Sequence, residues 1–196
     1  MQGREESMAF VLDASVIISF LGSGAAERLL SALPGPVLMA DWTFREVLRD
    51  PSSRIPPLSL RQALADTGLL EIRALDDTQI QLYLELTSAE NKYRLDDGEA
   101  ATVALAVGCG AIPVLDEDKA RRAYRSRFPG GLLESTAGLF RRLNEGHRLP
   151  PDELRTVLYQ ALHQARMHVV REEKEWVLLT LGLELARQCR SLGRYD

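Results

Sequence analysis

The stretch Leu95–Ala106, LDDGEAATVALA, decides how the rest of the chain reads. It sets Asp96, Asp97 and Glu99 at the mouth of a segment that turns small and apolar through Ala100, Ala101, Val103, Ala104, Leu105 and Ala106. Carboxylates before such a run mark a helix N-terminus, because the first turn exposes N–H groups and the positive end of the helix dipole. The small residues behind them let that helix pack closely against a sheet. Taken alone, the stretch is an acidic helix start. Three other carboxylates in equally pointed places give it a second meaning.

Upstream, Met8–Leu12 (MAFVL) is an apolar run that ends at Asp13, the pattern of a buried parallel strand. Val16, Ile17, Ile18, Phe20 and Leu21 follow as a helix that breaks at Gly22-Ser23-Gly24. Ala25–Leu33 is a second helix, stopped by Pro34-Gly35-Pro36, and Val37–Ala40 (VLMA) is a second strand. A helix capped by Asp41 or Thr43 then carries Phe44, Glu46, Val47 and Leu48. Beyond a loop over 50–57, Leu58–Thr67 reads as a helix, Leu69–Arg73 as a third strand and Asp76–Tyr93 as an amphipathic helix.

Downstream, the opening helix ends at Gly108-Cys109-Gly110, and Ala111–Leu115 (AIPVL) is a fourth strand whose Pro113 predicts an irregular or edge position. Asp116 stands at its end. Lys119–Arg127 is a basic helix, Leu132–Leu133 a short fifth strand, and Ser135–Glu145 a helix ended by Gly146. Pro150-Pro151-Asp152-Glu153 starts an amphipathic helix, and Val169–Cys189 reads as further helix. Strands alternating with helices predict an α/β fold with a mainly parallel sheet.

The composition bounds the function. A chain of 196 residues, 45% hydrophobic and 27% charged, is a globular protein with room for a proper core. A net charge of −4 and a pI near 5.5 argue against a dedicated nucleic-acid binder, but leave open an enzyme that meets RNA through a local basic patch. Cys109 and Cys189 lie too far apart to suggest a disulfide framework or zinc spacing. MQGREES lacks the order of a signal peptide, and Trp176–Ala186, the longest apolar stretch, is too short to span a bilayer. The expected setting is cytoplasmic, with no membrane role.

In open α/β sheets functional groups collect at the carboxyl ends of the strands. Asp13 follows strand one, Asp116 follows strand four, Glu46 lies in the helix after strand two, and Asp97 and Glu99 open the helix before strand four. Four segments thus aim carboxylates at one end of one sheet. Like charges at close range raise each other's pKa, and the usual relief is a divalent cation with oxygen ligands, Mg2+ or Mn2+. Such ions activate water and neutralise charge on a phosphoryl group. The chemistry inferred from the residues is metal-assisted phosphodiester hydrolysis.

FVLDASVII, Phe44-Arg45-Glu46-Val47, LDDGEAATVALA and VLDEDKAR, in that order, resemble the four acidic motifs of PIN-domain nucleases, most closely the branch related to VapC-type toxins. The resemblance covers roughly Met8 to Glu145. It implies a three-layer α/β/α fold around a mainly parallel sheet of four to five strands, and Mg2+- or Mn2+-dependent cleavage of RNA. It places the catalytic and metal-binding positions on Asp13, Glu46, Glu99 and Asp116, with Asp97 a fifth metal ligand. Ser15 matches a small residue that orients the first carboxylate. Asp116, Glu117 and Asp118 compete for the last acidic role; strand geometry favours Asp116 and leaves Asp118 to cap the next helix. Asp97 and Glu99 diverge in direction on a helix start, so their division of labour stays open.

Ser15, Lys119, Arg121 and Arg122 form the expected RNA-contacting set, against the alternative that the run Lys119–Arg127 is a solvated helix face. His147, His163 and His168 lack ligand spacing and read as surface or structural. Residues 8–150 form the expected nuclease domain. Residues 151–196 form a helical extension that completes the core or dimerises, ahead of binding a partner such as an antitoxin. Two rival functions stand beside the nuclease. One is a non-catalytic scaffold on the same fold. The other is a phosphatase, because Asp13-Ala14-Ser15 faintly resembles the aspartyl nucleophile motif of haloacid-dehalogenase-type enzymes, although Ser15 replaces that motif's second acid.

Overall fold

The short apolar runs become the strands of one parallel sheet. The computed structural model describes residues 8–47, 64, 66–88 and 94–193. The loop and helix expected over residues 50–67 fall mostly outside these, as does the end of the helix expected through Tyr93. Strands β1 (Phe10–Leu12), β2 (Val37–Ala40), β3 (Glu71–Arg73) and β4 (Ile112–Val114) lie in the order β3-β2-β1-β4, every pairing parallel. β1, β2 and β4 are buried throughout. β4 is an edge strand, which accommodates Pro113, as expected. The expected fifth strand is reduced to a single parallel bridge between Val114 and Glu134.

Helices cover both faces. After β1 come α1 (Ala14–Gly22) and α2 (Ala26–Ala32); after β2, α3 (Asp41–Val47); after β3, α4 (Asp77–Thr87) and α5 (Asp97–Cys109). Beyond β4 follow α6 (Asp118–Arg127), α7 (Thr136–Glu145), α8 (Pro151–Gln164), α9 (Lys174–Leu181) and α10 (Leu183–Ala186). The expected helix over Val169–Cys189 is divided: Arg171–Glu173 is a 3-10 turn, and Gly182, at φ +75°, separates α9 from α10. Only glycine adopts that backbone without strain.

The two-residue period of a strand sorts the core into two layers. Phe10 and Leu12 join Val16, Ile17, Phe20, Met39, Phe140, Leu158 and Val177 on one face; Val11 joins Leu38, Leu105, Leu115 and the alanines of α5 on the other. The small side chains of α5 are all but excluded from solvent, so its first turn comes close to the sheet end. Residues of α8 and α9 therefore pack in the same layer as β1. Among the described residues no helix is long and apolar enough to cross a membrane.

Leu158 is fully buried in that layer. Leu158→Ala is expected to cost about 2–5 kcal/mol through lost contacts and a residual cavity, which lowers Tm by roughly 5 °C or more in a chain of this size. Thermal unfolding followed by circular dichroism checks this; an unchanged Tm would mean that α8 is not part of the core.

Candidate acidic site

The chain direction along the sheet reverses between β1 and β4: β2 and β3 add on one side of β1, and β4 returns to the other. Such a switch point leaves a crevice outside the carboxyl ends of the two strands, because their connections leave in opposite directions. Asp13 is the first residue past β1, and Asp116 lies two past Val114 of β4. Sheet topology alone thus brings the two together.

Asp13 caps α1. Its Oδ2 accepts hydrogen bonds from the Ser15 hydroxyl at 2.8 Å and the Ser15 N–H at 3.4 Å. Ser15 therefore orients that carboxylate, as the sequence suggested. Asp116 is buried and doubly held: the Thr136 N–H donates to Oδ1 at 2.8 Å and the Thr136 hydroxyl to Oδ2 at 2.6 Å. Glu99, in the first turn of α5, is 8% exposed, and its Oε2 accepts the Asp96 N–H at 3.2 Å. One residue both caps the helix and faces the crevice.

Burial drives the electrostatics. It raises Asp13 above the ordinary carboxylate range against the pull of its Ser15 and backbone hydrogen bonds, and the charge of Glu117 raises it further. Burial pushes Glu99 up to about 7, with Asp13, Glu117 and Asp96 adding to the rise. Asp116 is pushed up to about 6, again first by burial; the bonds from Thr136 and the charge of His168 oppose the shift, and Asp13 reinforces it. Asp13 acts on both of the others and so ties the group together. Desolvation and mutual repulsion both favour protonated forms here.

Glu46 and Asp97 stand on the other side of the same helix start. Both are exposed, and with Trp42 and Arg45 they line a cavity of about 190 Å3. Residues two apart on a helix project about 200° apart, so Glu99 turns in while Asp97 turns out. The Tyr83 hydroxyl donates to Asp97 Oδ1 at 3.0 Å. The Glu46 carboxylate lies over Gly98, where a built Cβ would stand 2.3 Å from its Oε2. The Thr43 hydroxyl donates to the Gly98 carbonyl at 3.1 Å, which fixes α3 against that turn. The absent side chain at position 98 is what lets Glu46 reach the mouth of α5.

Asp118 is the first residue of α6, and the capping position falls on Glu117, contrary to the cap expected at Asp118. Glu117, not Asp118, acts electrostatically on Asp13 and Glu99. The basic run divides. Arg122 is exposed, and Lys119 stands 4.0 Å from Asp96. Arg125 pairs with Glu172 at 3.2 Å, and Arg127 pairs with Glu85. Arg121 departs from both readings of this helix: it is buried, and its Nη1 donates to the carbonyls of Leu115 and Glu134 at 2.9 Å each. It braces the chain just before Asp116 instead of offering charge to solvent. Thr136 is the contributor that sequence reasoning missed: it sits in no motif and reaches Asp116 from the start of α7, twenty positions along the chain. His168 is exposed, in keeping with its reading as a surface residue, and acts on Asp116 through charge alone.

A family model described as a PIN domain matches residues 9–178, so the chain belongs to the PIN-domain family, whose members are generally nucleases. No curated protein and no solved structure matches the chain.

The raised carboxyls give the protein a signed pH dependence. Glu99, at about 7 when folded against 4.5 as a free side chain, keeps its proton in the native state where the unfolded chain has lost it. Native protein therefore binds more protons, and stability falls as pH rises from about 4.5 through 7. In chelator-treated protein, Glu99→Gln is expected to match wild type at pH 5 and exceed its Tm at pH 8, because glutamine keeps the acceptor for Asp96 and removes the buried charge. Tm measured by differential scanning fluorimetry checks this; a variant less stable than wild type at pH 8 would contradict it.

Proposed function

We propose that this PIN-domain protein is a divalent-metal-dependent endoribonuclease, hydrolysing RNA phosphodiester bonds at the crevice around Asp13, Glu99 and Asp116. The observation that carries the reading is three carboxylates from three separate elements, drawn out of water at a switch point, two of them raised by the charge of the third. A stable fold gains nothing from such a group, since burying charge without compensation is costly.

The donor set suits a hard cation. It is all oxygen, and its excess of negative charge is what Mg2+ or Mn2+ relieves. Among the described residues, no three carboxylate, imidazole or thiol groups close around one point. Mg2+ does not require a closed cage, because it keeps several waters and is held through one or two carboxylates plus substrate phosphates. Asp13 with Glu99 or Asp116 would hold it, waters and a substrate phosphate completing the shell. A bound cation supplies Lewis acidity, offsetting charge on the phosphoryl oxygens and lowering the pKa of an attacking water.

The chain's own residues do the positioning. Ser15 fixes the direction of Asp13, and Thr136 holds both oxygens of Asp116. Glu99, near 7, exchanges a proton close to neutral pH while its bond from Asp96 keeps it in place. Exposed Arg122 and Lys119, on α6 directly after Asp116, supply cations for the RNA backbone. The open spacing of the carboxylates is the feature that favours the second reading, a PIN-like module that binds RNA without cutting it.

Asp13→Asn is expected to lower cleavage of a fluorescent single-stranded RNA by roughly 100-fold or more, the several kcal/mol assigned to charge stabilisation at such a site, while chelator-treated variant unfolds no earlier than wild type. A variant that cuts at the wild-type rate with Mg2+ or Mn2+ present would refute the assignment. Wild-type protein that binds the RNA and leaves it intact would establish the non-catalytic module. Gly98→Ala is expected to displace Glu46 and reduce cleavage about tenfold, and Gly98→Ala/Glu46→Asp, with a side chain one methylene shorter, to recover part of the loss; a double variant worse than both singles would exclude the seat at Gly98.

A further inference from the structure

The cavity beside the crevice carries a different chemistry from the crevice itself. Its lining brings together an aromatic ring (Trp42), a cation (Arg45) and two carboxylates (Glu46 and Asp97). Tyr83 fixes two of these at once. Its ring stands edge-on to Trp42, with centroids 4.5 Å apart at 85°, and its hydroxyl donates to Asp97 Oδ1 at 3.0 Å. The aromatic wall and the acceptor are therefore oriented before any ligand arrives. Arg45, largely exposed, pairs with Asp41 at 3.3 Å. Glu46 is seated on Gly98, the residue next to Glu99 in the chain.

We propose that this cavity is a nucleobase subsite that takes an unpaired guanine next to the bond to be cut, an inference that rests on the nuclease reading above. Single-stranded RNA is read by splaying bases onto aromatic side chains and hydrogen-bonding their Watson–Crick edges. An ionised carboxylate only accepts hydrogen bonds, and it does so through two oxygens. Guanine alone offers two adjacent donors on that edge, N1–H and the N2 amino group. Adenine and cytosine place an acceptor beside their donor, and uracil flanks its donor with two acceptors, which an acceptor-only wall repels. A volume of about 190 Å3 is roughly that of six waters, room for one planar base. Arg45 then faces the phosphate that follows the base.

The test is titration with guanosine, inosine and uridine 5′-monophosphates, followed by tryptophan fluorescence. Guanosine monophosphate is expected to quench saturably and to bind at least fivefold tighter than the inosine nucleotide, which lacks the amino group; the uridine nucleotide is expected to bind weakest. Trp42→Phe should abolish the quench, and Asp97→Asn should bring the guanine affinity down to that of inosine. Equal affinity for the three nucleotides, or a quench that survives in Trp42→Phe, would overturn the subsite. Guanine-selective quenching in a protein that cuts no RNA would leave the subsite standing and remove the nuclease reading instead.

Discussion

Asp13 is the charge that the rest of the crevice has to accommodate. It stands directly past β1, where the sheet changes direction, and its field reaches Glu99 on α5 and Asp116 past β4. Each of the three is largely withdrawn from water, and each is held by hydrogen bonds that favour a fixed carboxylate: Ser15 on Asp13, the Asp96 backbone on Glu99, and Thr136 on Asp116. These bonds oppose the effect of burial but do not cancel it, because all three groups stay raised. The result is an acidic crevice whose ionised form sets like charges against one another.

The fold supplies the closeness that makes this repulsion matter. A parallel sheet needs helical crossovers, so every strand end leads into a helix start, and helix starts attract carboxylates. The alanines of α5 let its first turn approach the sheet, and glycine at 98 clears the space that Glu46 occupies. Arg121 acts from below: its bonds to the Leu115 and Glu134 carbonyls tie β4 to the segment that delivers Thr136. The same helix start divides two chemistries. Glu99 faces inward to the buried acids, and Asp97 faces outward to Tyr83 and the cavity of Trp42.

Much of this was legible in the residues. Apolar runs ending in Asp13 and Asp116 marked the strands and their exits, Pro113 marked an edge, and the spacing of Asp97 and Glu99 already implied opposite directions. What stayed hidden shares one cause: local patterns report whether a residue is buried, not which distant segment covers it. Thr136 carries no signal that it will clamp an acid twenty positions earlier. Arg121 looks like any member of a basic run until its helix is placed over two carbonyls. The apolar stretch after Val169 has helical composition, yet it opens as a 3-10 turn at Arg171–Glu173 and is divided again at the positive φ of Gly182. The role of Gly98 needed Glu46 in place before the missing side chain acquired a meaning.

The central claim is that Asp13, Glu99 and Asp116 form one cation site linked through the charge of Asp13. Calorimetric titration of Mn2+ at pH 7 in two buffers of different ionisation enthalpy tests it most directly, because a cation that displaces protons from raised carboxyls shows a buffer-dependent heat. The account predicts saturable binding with net proton release, and loss of both in Asp13→Asn. Binding without proton release, or binding unchanged by Asp13→Asn, would contradict it.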